Sequence, residues 1–259
     1  MGTFLFDQTI FGPVKSRRLG ISLGINLLPN HQKYCSFNCI YCECGWTGNN
    51  FAKDVKLPSA SEVKQLLKVE LIKIKKNSQS IDVITFAGNG EPTLHPEFAR
   101  IIDDTIELRN QYFPKVKIAV LSNATMIQNP SVFNALNKIE MNVLKIDSGI
   151  ESTCKILNMP MINYSLHEVI KNLKRFKGKL IIQTLFLRGI YNGQVIDNTT
   201  PKEILNWLNI LKEVKPLQVM VYTIDRDTAA QSLQKIPLKE LKKIALKVKL
   251  VGIKALISE

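Results

Sequence analysis

The chain has 259 residues, 45% of them hydrophobic and 22% charged, with 13 Gly and 11 Pro; this balance excludes collagen, coiled coil and intrinsic disorder. That length suffices for a large core, and α/β barrels use about 200 to 250 residues as one domain, so residues 1–259 are expected to form a single domain. Thirty-five Lys+Arg against 22 Asp+Glu leave a net charge of +13, which favours anionic partners, nucleic acid first and phosphorylated small molecules second. Much of this charge is lysine on predicted helical faces (Lys64, Lys68, Lys73, Lys75, Lys76; Lys239, Lys242, Lys243, Lys247, Lys249), where lysine commonly does no more than solvate a surface. Aromatic residues that could stack bases do not interleave with those segments.

In chain order, the N-terminal residues 1–11 lack the basic start and apolar core of a signal peptide, and no run approaches the ~18 apolar residues of a membrane span. A cytoplasmic protein without membrane contact is expected. A first strand is expected over 20–27, followed by a loop with three of the five cysteines within eight residues, a pattern suited to a metal site in a reducing compartment. Residues 62–74 read as a helix, since Val63, Leu66, Leu67, Leu71 and Ile74 share one face behind the caps Ser59 and Ser61. The short apolar run 81–87 reads as a strand, ended by Gly88-Asn89-Gly90-Glu91-Pro92. The alternation continues with helix 97–109, strand 116–121, helix 131–137, strand 142–146, helix 165–176, strand 180–187, helix 201–214, strand 217–222 and helix 238–249.

Near-continuous apolar strands separated by amphipathic helices imply a parallel sheet covered by helices, an α/β fold. About six βα units are fewer than the eight of a closed barrel, and they fit a partial TIM-like barrel better than a doubly wound sheet. In either case the loops after the strands form the active face.

The first such loop reads Cys35-Ser36-Phe37-Asn38-Cys39-Ile40-Tyr41-Cys42. Three thiolates can ligate three irons of a cubane cluster, whereas an ordinary four-iron carrier uses four cysteines; an iron without a protein ligand could accept a substrate. Cys44 and His31 lie close enough in sequence to keep a tetrahedral zinc site open as an alternative. The Cys-x3-Cys-x2-Cys spacing, with Tyr41 before the last cysteine, resembles the signature of the radical S-adenosylmethionine (SAM) superfamily. Gly88-Asn89-Gly90-Glu91-Pro92 is similar to that family's Gly-Gly-Glu-Pro element, with Asn89 in place of the more usual Gly. The resemblance implies a partial (β/α)6 barrel and a [4Fe–4S] cluster held by Cys35, Cys39 and Cys42. It also implies reductive cleavage of SAM to a 5′-deoxyadenosyl radical that abstracts hydrogen from a substrate, with a reductant such as flavodoxin or ferredoxin. By the same resemblance Tyr41 lies at the adenine end of SAM, Gly88, Gly90 and Glu91 hold its amino group, and Asn123, Asp147 and Ser148 contact SAM or substrate. On the residues alone, the last three are equally turn or cap residues.

The stretch from Phe11-Gly12-Pro13-Val14 through Arg17-Arg18-Leu19-Gly20 to Asn26, with the cysteine loop and Gly88 through Pro96, further resembles the radical SAM subfamily grouped with wyosine-type tRNA synthetases, over residues 11–226. Neither the second cysteine-rich cluster of archaeal wyosine enzymes nor the flavodoxin-like domain of eukaryotic ones is expected from these residues. Residues 235–259 read as a helical extension. Gln183 and Thr184 interrupt an apolar strand and can face the barrel interior; Tyr222, Asp225 and Arg226 end the last strand. Arg188 and Arg226 are candidates for an anionic substrate group, with ion pairing as the alternative; Arg17 and Arg18 are candidates to sit near the cluster or bind phosphate, and equally read as exposed strand-edge charges; Cys154 reads as a small buried hydrophobe. No residue is assigned to the hydrogen-transfer step itself. The alternative function is a non-catalytic iron–sulfur or zinc protein that binds nucleic acid.

Overall fold

The apolar runs of the sequence become the parallel strands of one sheet. In the computed structural model, which describes residues 4–48 and 55–258, the chain begins with β1 (Ile10–Ser16), β2 (Gly20–Ile25), α1 (Ala60–Lys76), β3 (Val83–Phe86), α2 (Phe98–Tyr112), β4 (Lys117–Ser122), α3 (Pro130–Asn137), β5 (Met141–Lys145) and α4 (Glu151–Asn158). It continues with α5 (Leu166–Lys174), β6 (Ile181–Tyr191), β7 (Gln194–Asp197), α6 (Pro201–Val214), β8 (Gln218–Thr223), β9 (Leu233–Lys235), α7 (Leu238–Leu250) and β10 (Lys254–Ser258). The path through the sheet is β1-β2-β3-β4-β5-β6-β8-β10, with β7 and β9 paired to β6. From β2 to β10 neighbours on this path are parallel, and only β1, β7 and β9 pair antiparallel.

Strands buried on both faces need apolar side chains on both, and β3 (Val-Ile-Thr-Phe) has every residue buried. In β6 the two faces separate cleanly. Gln183 and Leu185 line a cavity on the inner side, while Thr184 accepts a hydrogen bond from Trp207 of α6 (3.0 Å) and Phe186 packs edge-to-face on the same indole. A strand's period of two lets only one of Gln183 and Thr184 face inward, and it is Gln183. The helices start at polar caps: Ser59 and Glu62 form a capping box on α1, and Thr200 caps α6 with Pro201 in the first turn.

The sheet curls. Although β1 and β2 lie at one end of its path and β8 and β10 at the other, Leu19 of the β1–β2 turn packs with Leu121, Met141 and Leu256 on Val143, Ile181 and Met220. Arg17 reaches Asp225 beyond β8 at 3.1 Å. Edges that meet in this way make a partial barrel, with the hairpin tip lying across its opening.

Residues 235–259, expected as a helical extension, are helix only over Leu238–Leu250. The run Lys254–Ser258 instead adds a parallel strand beside β8. Residues 1–3 and 259 of the expected segments lie outside the described residues. Among the described residues no helix is long and apolar enough to cross a membrane.

Candidate active site

The loop from β2 to α1 is laid against the turn after β3. Tyr34 and Gly90 form a parallel bridge, with Tyr34 N–H donating to Asn89 O (2.8 Å) and Glu91 N–H to Tyr34 O (3.1 Å). Gly90 sits at φ +144°, and a Cβ there would lie 1.9 Å from Tyr34 O, so no side chain fits. At Gly88 a Cβ would meet Asn26 Oδ1 at 2.3 Å. Asn89, which stands where the resemblance leads one to expect Gly, is completely buried. Its amide accepts from Phe6 N–H (2.8 Å) and donates to Phe6 O (2.8 Å) and Pro29 O (2.7 Å). The departure is therefore a clasp that ties the N-terminal segment to the glycine turn.

Five cysteines are free thiols, with Cys35, Cys39 and Cys154 buried and Cys42 and Cys44 half-buried. Cys35 Sγ accepts from Phe37 N–H (3.4 Å) and Asn123 Nδ2 (3.6 Å), but burial dominates and pushes this thiol up to about 12. Cys39 Sγ lies 3.0 Å from the buried ammonium of Lys145. Hydrogen bonding from Cys44 holds the Cys42 thiol down to about 5 against the opposing effect of burial, with help from the Lys33 ammonium, and the Cys44 Sγ lies 3.6 Å from Gly88 O. Burial opposes the charge on Lys33, yet the surrounding Cys42, Cys39 and Cys35 raise its pKa overall.

Two buried ammoniums facing three unpaired thiols compensate negative sulfur charge. This donor set fits a polynuclear iron–sulfur group, in which each thiolate takes its own iron. A single zinc ion needs several donors converging on one point, and among the described residues no three His, Cys, Asp or Glu converge so. His31 is exposed, outside the buried cysteine pocket.

Cys35, Tyr41, Cys42, Gly88, Gly90, Glu91 and Asn123 line one cavity of about 260 Å³, together with Lys145, Gln183, Leu185, Tyr222 and Arg18. Glu91 is buried and its pKa is raised by desolvation, although its carboxylate accepts from Asn123 N–H (2.6 Å), Thr93 N–H (3.1 Å) and Thr93 Oγ1 (2.5 Å). Asn123 braces the cysteine loop: Nδ2 donates to Ser36 Oγ (2.9 Å), and Oδ1 accepts from Thr125 N–H (3.0 Å).

Asp147 and Ser148 do not line this cavity. Asp147 is spent inside the protein, accepting from the Tyr41 hydroxyl and Leu185 N–H (3.1 Å) and pairing with Lys145 (3.2 Å). Ser148 donates to buried Glu203 (2.5 Å) and accepts from Ile150 N–H (2.8 Å) at the start of α4. Thus Asp147 positions Tyr41 and Lys145, and Ser148 holds the turn that leads into α4.

Other candidates resolve as ion pairs. Arg188 meets Glu240 (2.5 Å) and Asp197 (3.5 Å), and Arg226 meets Glu43 (3.2 Å). Cys154 donates to Ser148 O (3.3 Å) within the core. Lys33 and Lys145 escaped the sequence reading. A lysine within the apolar run 142–146 was the available signal for Lys145, because an ammonium buried in a strand needs a partner; no local pattern marks Lys33.

Fold and site define an α/β partial-barrel protein with a cysteine-lined pocket at its strand ends. Residues 29–208 match the Radical SAM superfamily, and the chain belongs to this superfamily of enzymes. It is 29% identical over 238 residues to a UPF0026 protein of Methanocaldococcus jannaschii, covering 90% of this chain and 69% of that one. It is 28% identical over 243 residues to a protein of Brachyspira hyodysenteriae named GTPase Obg, where 92% of this chain spans only 33% of the other. The fold is shared with a radical SAM methyltransferase from Sphaerobacter thermophilus (TM-score 0.66, 12% identity, 91% of this chain and 65% of that chain). It is also shared with archaeal TYW1 (TM-score 0.52, 13% identity, 88% and 71%).

Proposed function

We propose that the chain is a SAM-cleaving radical enzyme whose cluster is held by Cys35, Cys39 and Cys42. The observation that carries this reading is the joining of the cysteine loop to the Gly88–Glu91 turn around one cavity. When bound, a [4Fe–4S] cluster supplies one electron to SAM, giving methionine and a 5′-deoxyadenosyl radical. Lys33 and Lys145 balance the sulfur charge, and Asn123 fixes the Cys35 end of the loop. Gly88 and Gly90 line the cavity beside Glu91, which is the acceptor for the SAM ammonium. Tyr41, its hydroxyl held by Asp147, presents its ring to the cavity beside the adenine. The electron comes from an external donor of the flavodoxin or ferredoxin kind. The +13 charge favours an anionic substrate, with RNA first to test.

The test is anaerobic: the cluster is reconstituted and reduced, SAM is added, and 5′-deoxyadenosine is quantified beside Cys39→Ala. Product from the intact protein alone supports the reading. A protein that takes up no iron, or that holds four irons and forms no product, overturns it.

A further inference from the structure

The cavity has a second wall, built by the later strands and the hairpin tip rather than by the cysteine loop. Gln183 and Leu185 come from β6 and Tyr222 from β8, and Arg18 enters from the turn between β1 and β2. That turn is firmly set. Ser16 Oγ accepts from Arg18 N–H (3.4 Å) and Leu19 N–H (3.3 Å), Leu19 is packed in the apolar plug, and Arg17 is paired with Asp225. From it the Arg18 guanidinium sits over the Tyr222 ring, its carbon 4.5 Å from the ring centre, and donates from Nη1 to Gln183 Oε1 at 3.1 Å.

The charges around this cavity are otherwise matched. Lys145 has Asp147 and Cys39, Glu43 has Arg226, and Glu91 takes three protein donors. Arg18 has a neutral amide and an aromatic face, and no carboxylate among the described residues pairs with it. A guanidinium carries five N–H donors in a planar fork matched to an oxyanion, and the Tyr222 ring and the Gln183 amide hold it in place before any anion arrives. Where a purely structural arginine would be neutralised, as Arg188 is by Glu240, this one is left facing the cavity.

We propose that Arg18, positioned by Gln183 and Tyr222, binds an oxyanion of the substrate, a phosphate or a carboxylate, and so fixes which substrates enter the cavity. This deepens the radical SAM reading by naming the substrate's charged group and rests on it for the word substrate. The binding itself can be measured without SAM turnover, so its failure and the failure of that reading are distinguishable.

Inorganic phosphate and malonate are titrated separately into the full chain, with and without reconstituted cluster, by calorimetry. The arms separate a phosphate source from a carboxylate source. Arg18→Gln is expected to weaken the preferred anion about tenfold or more, since charge-assisted fork contacts are lost. Arg18→Lys, which keeps the charge, is expected to fall between. Gln183→Glu leaves Arg18 in place but supplies an internal carboxylate, and it is expected to weaken binding comparably while the protein stays folded by circular dichroism. Should Arg18→Gln fail to fold, Gln183→Glu carries the test. No binding of either anion to the parent protein, or unchanged affinity in Gln183→Glu and in folded Arg18→Gln, would overturn the proposal.

Discussion

The two walls of the cavity are built on opposite principles. On the cysteine side nearly every polar group is already satisfied: Glu91 by Asn123 and Thr93, Asn123 by Ser36 and Thr125, Asn89 by Phe6 and Pro29. On the far side Arg18 and Tyr222 rest on one another, with one amide to anchor them. The first wall is a preformed holder whose geometry the protein fixes alone; the second keeps hydrogen-bonding capacity in reserve. Substitutions on the holder should therefore cost stability or cofactor, and those on the far side should cost binding.

The largest effect is expected from Cys39→Ala, which should take 5′-deoxyadenosine formation to background and lower the iron content. Next comes Lys145→Met. It strands the buried Asp147 without its cation, and removing one partner of a buried pair costs about 3–5 kcal/mol, readable by urea unfolding of the metal-free protein. Gly90→Ala should cost at least about 2 kcal/mol, since it joins left-handed backbone strain to the collision with Tyr34 O. A stability equal to that of the parent would mean that the two loops are not clamped as described.

Thiol reactivity sharpens the contrast within the holder itself. A thiol pushed down to about 5 is ionised above that pH, and one pushed up to about 12 is neutral. In the metal-free protein at about pH 6.5, iodoacetamide should therefore mark Cys42 well before Cys35, as read by peptide mass spectrometry. The smallest effect is expected on the far side. Arg17→Ala removes a pair that is a third exposed on both sides and should cost less than about 1 kcal/mol, because the Leu19 plug holds the hairpin. A larger loss in thermal unfolding would show that charge, not packing, sets the hairpin tip.

What the sequence made legible was local. The runs 81–87, 116–121 and 142–146 became β3, β4 and β5 within a few residues, because a strand buried on both faces must be apolar throughout. The cysteine and glycine motifs were legible for the same reason, each being a short stretch whose chemistry is its own. Elements that depend on partners were not. β1 is interrupted by Gly12-Pro13 and carries Lys15, and it is a strand only because β2 pairs with it. β10 is a five-residue run that the preceding helix disguises. β6 runs on to Tyr191 and turns at Asn192-Gly193 into β7, a hairpin signal present in the sequence but unread.

The site shows the same division. Lys145 with Cys39 and Tyr41 with Asp147 each join residues 106 positions apart, a relation no motif states. Ser148 shows the complementary case. It stands at a strand end, where the resemblance places a ligand contact, yet buried Glu203 from α6 takes its hydroxyl.

The central claim is that the cysteine wall holds a cluster open to SAM. The most direct measurement is the electron paramagnetic resonance spectrum of the reduced, reconstituted protein before and after SAM is added. The account predicts a four-iron signal whose g values shift on adding SAM and that is lost in Cys39→Ala. A four-iron signal indifferent to SAM would contradict it, leaving the cysteine wall as an electron-transfer or structural site.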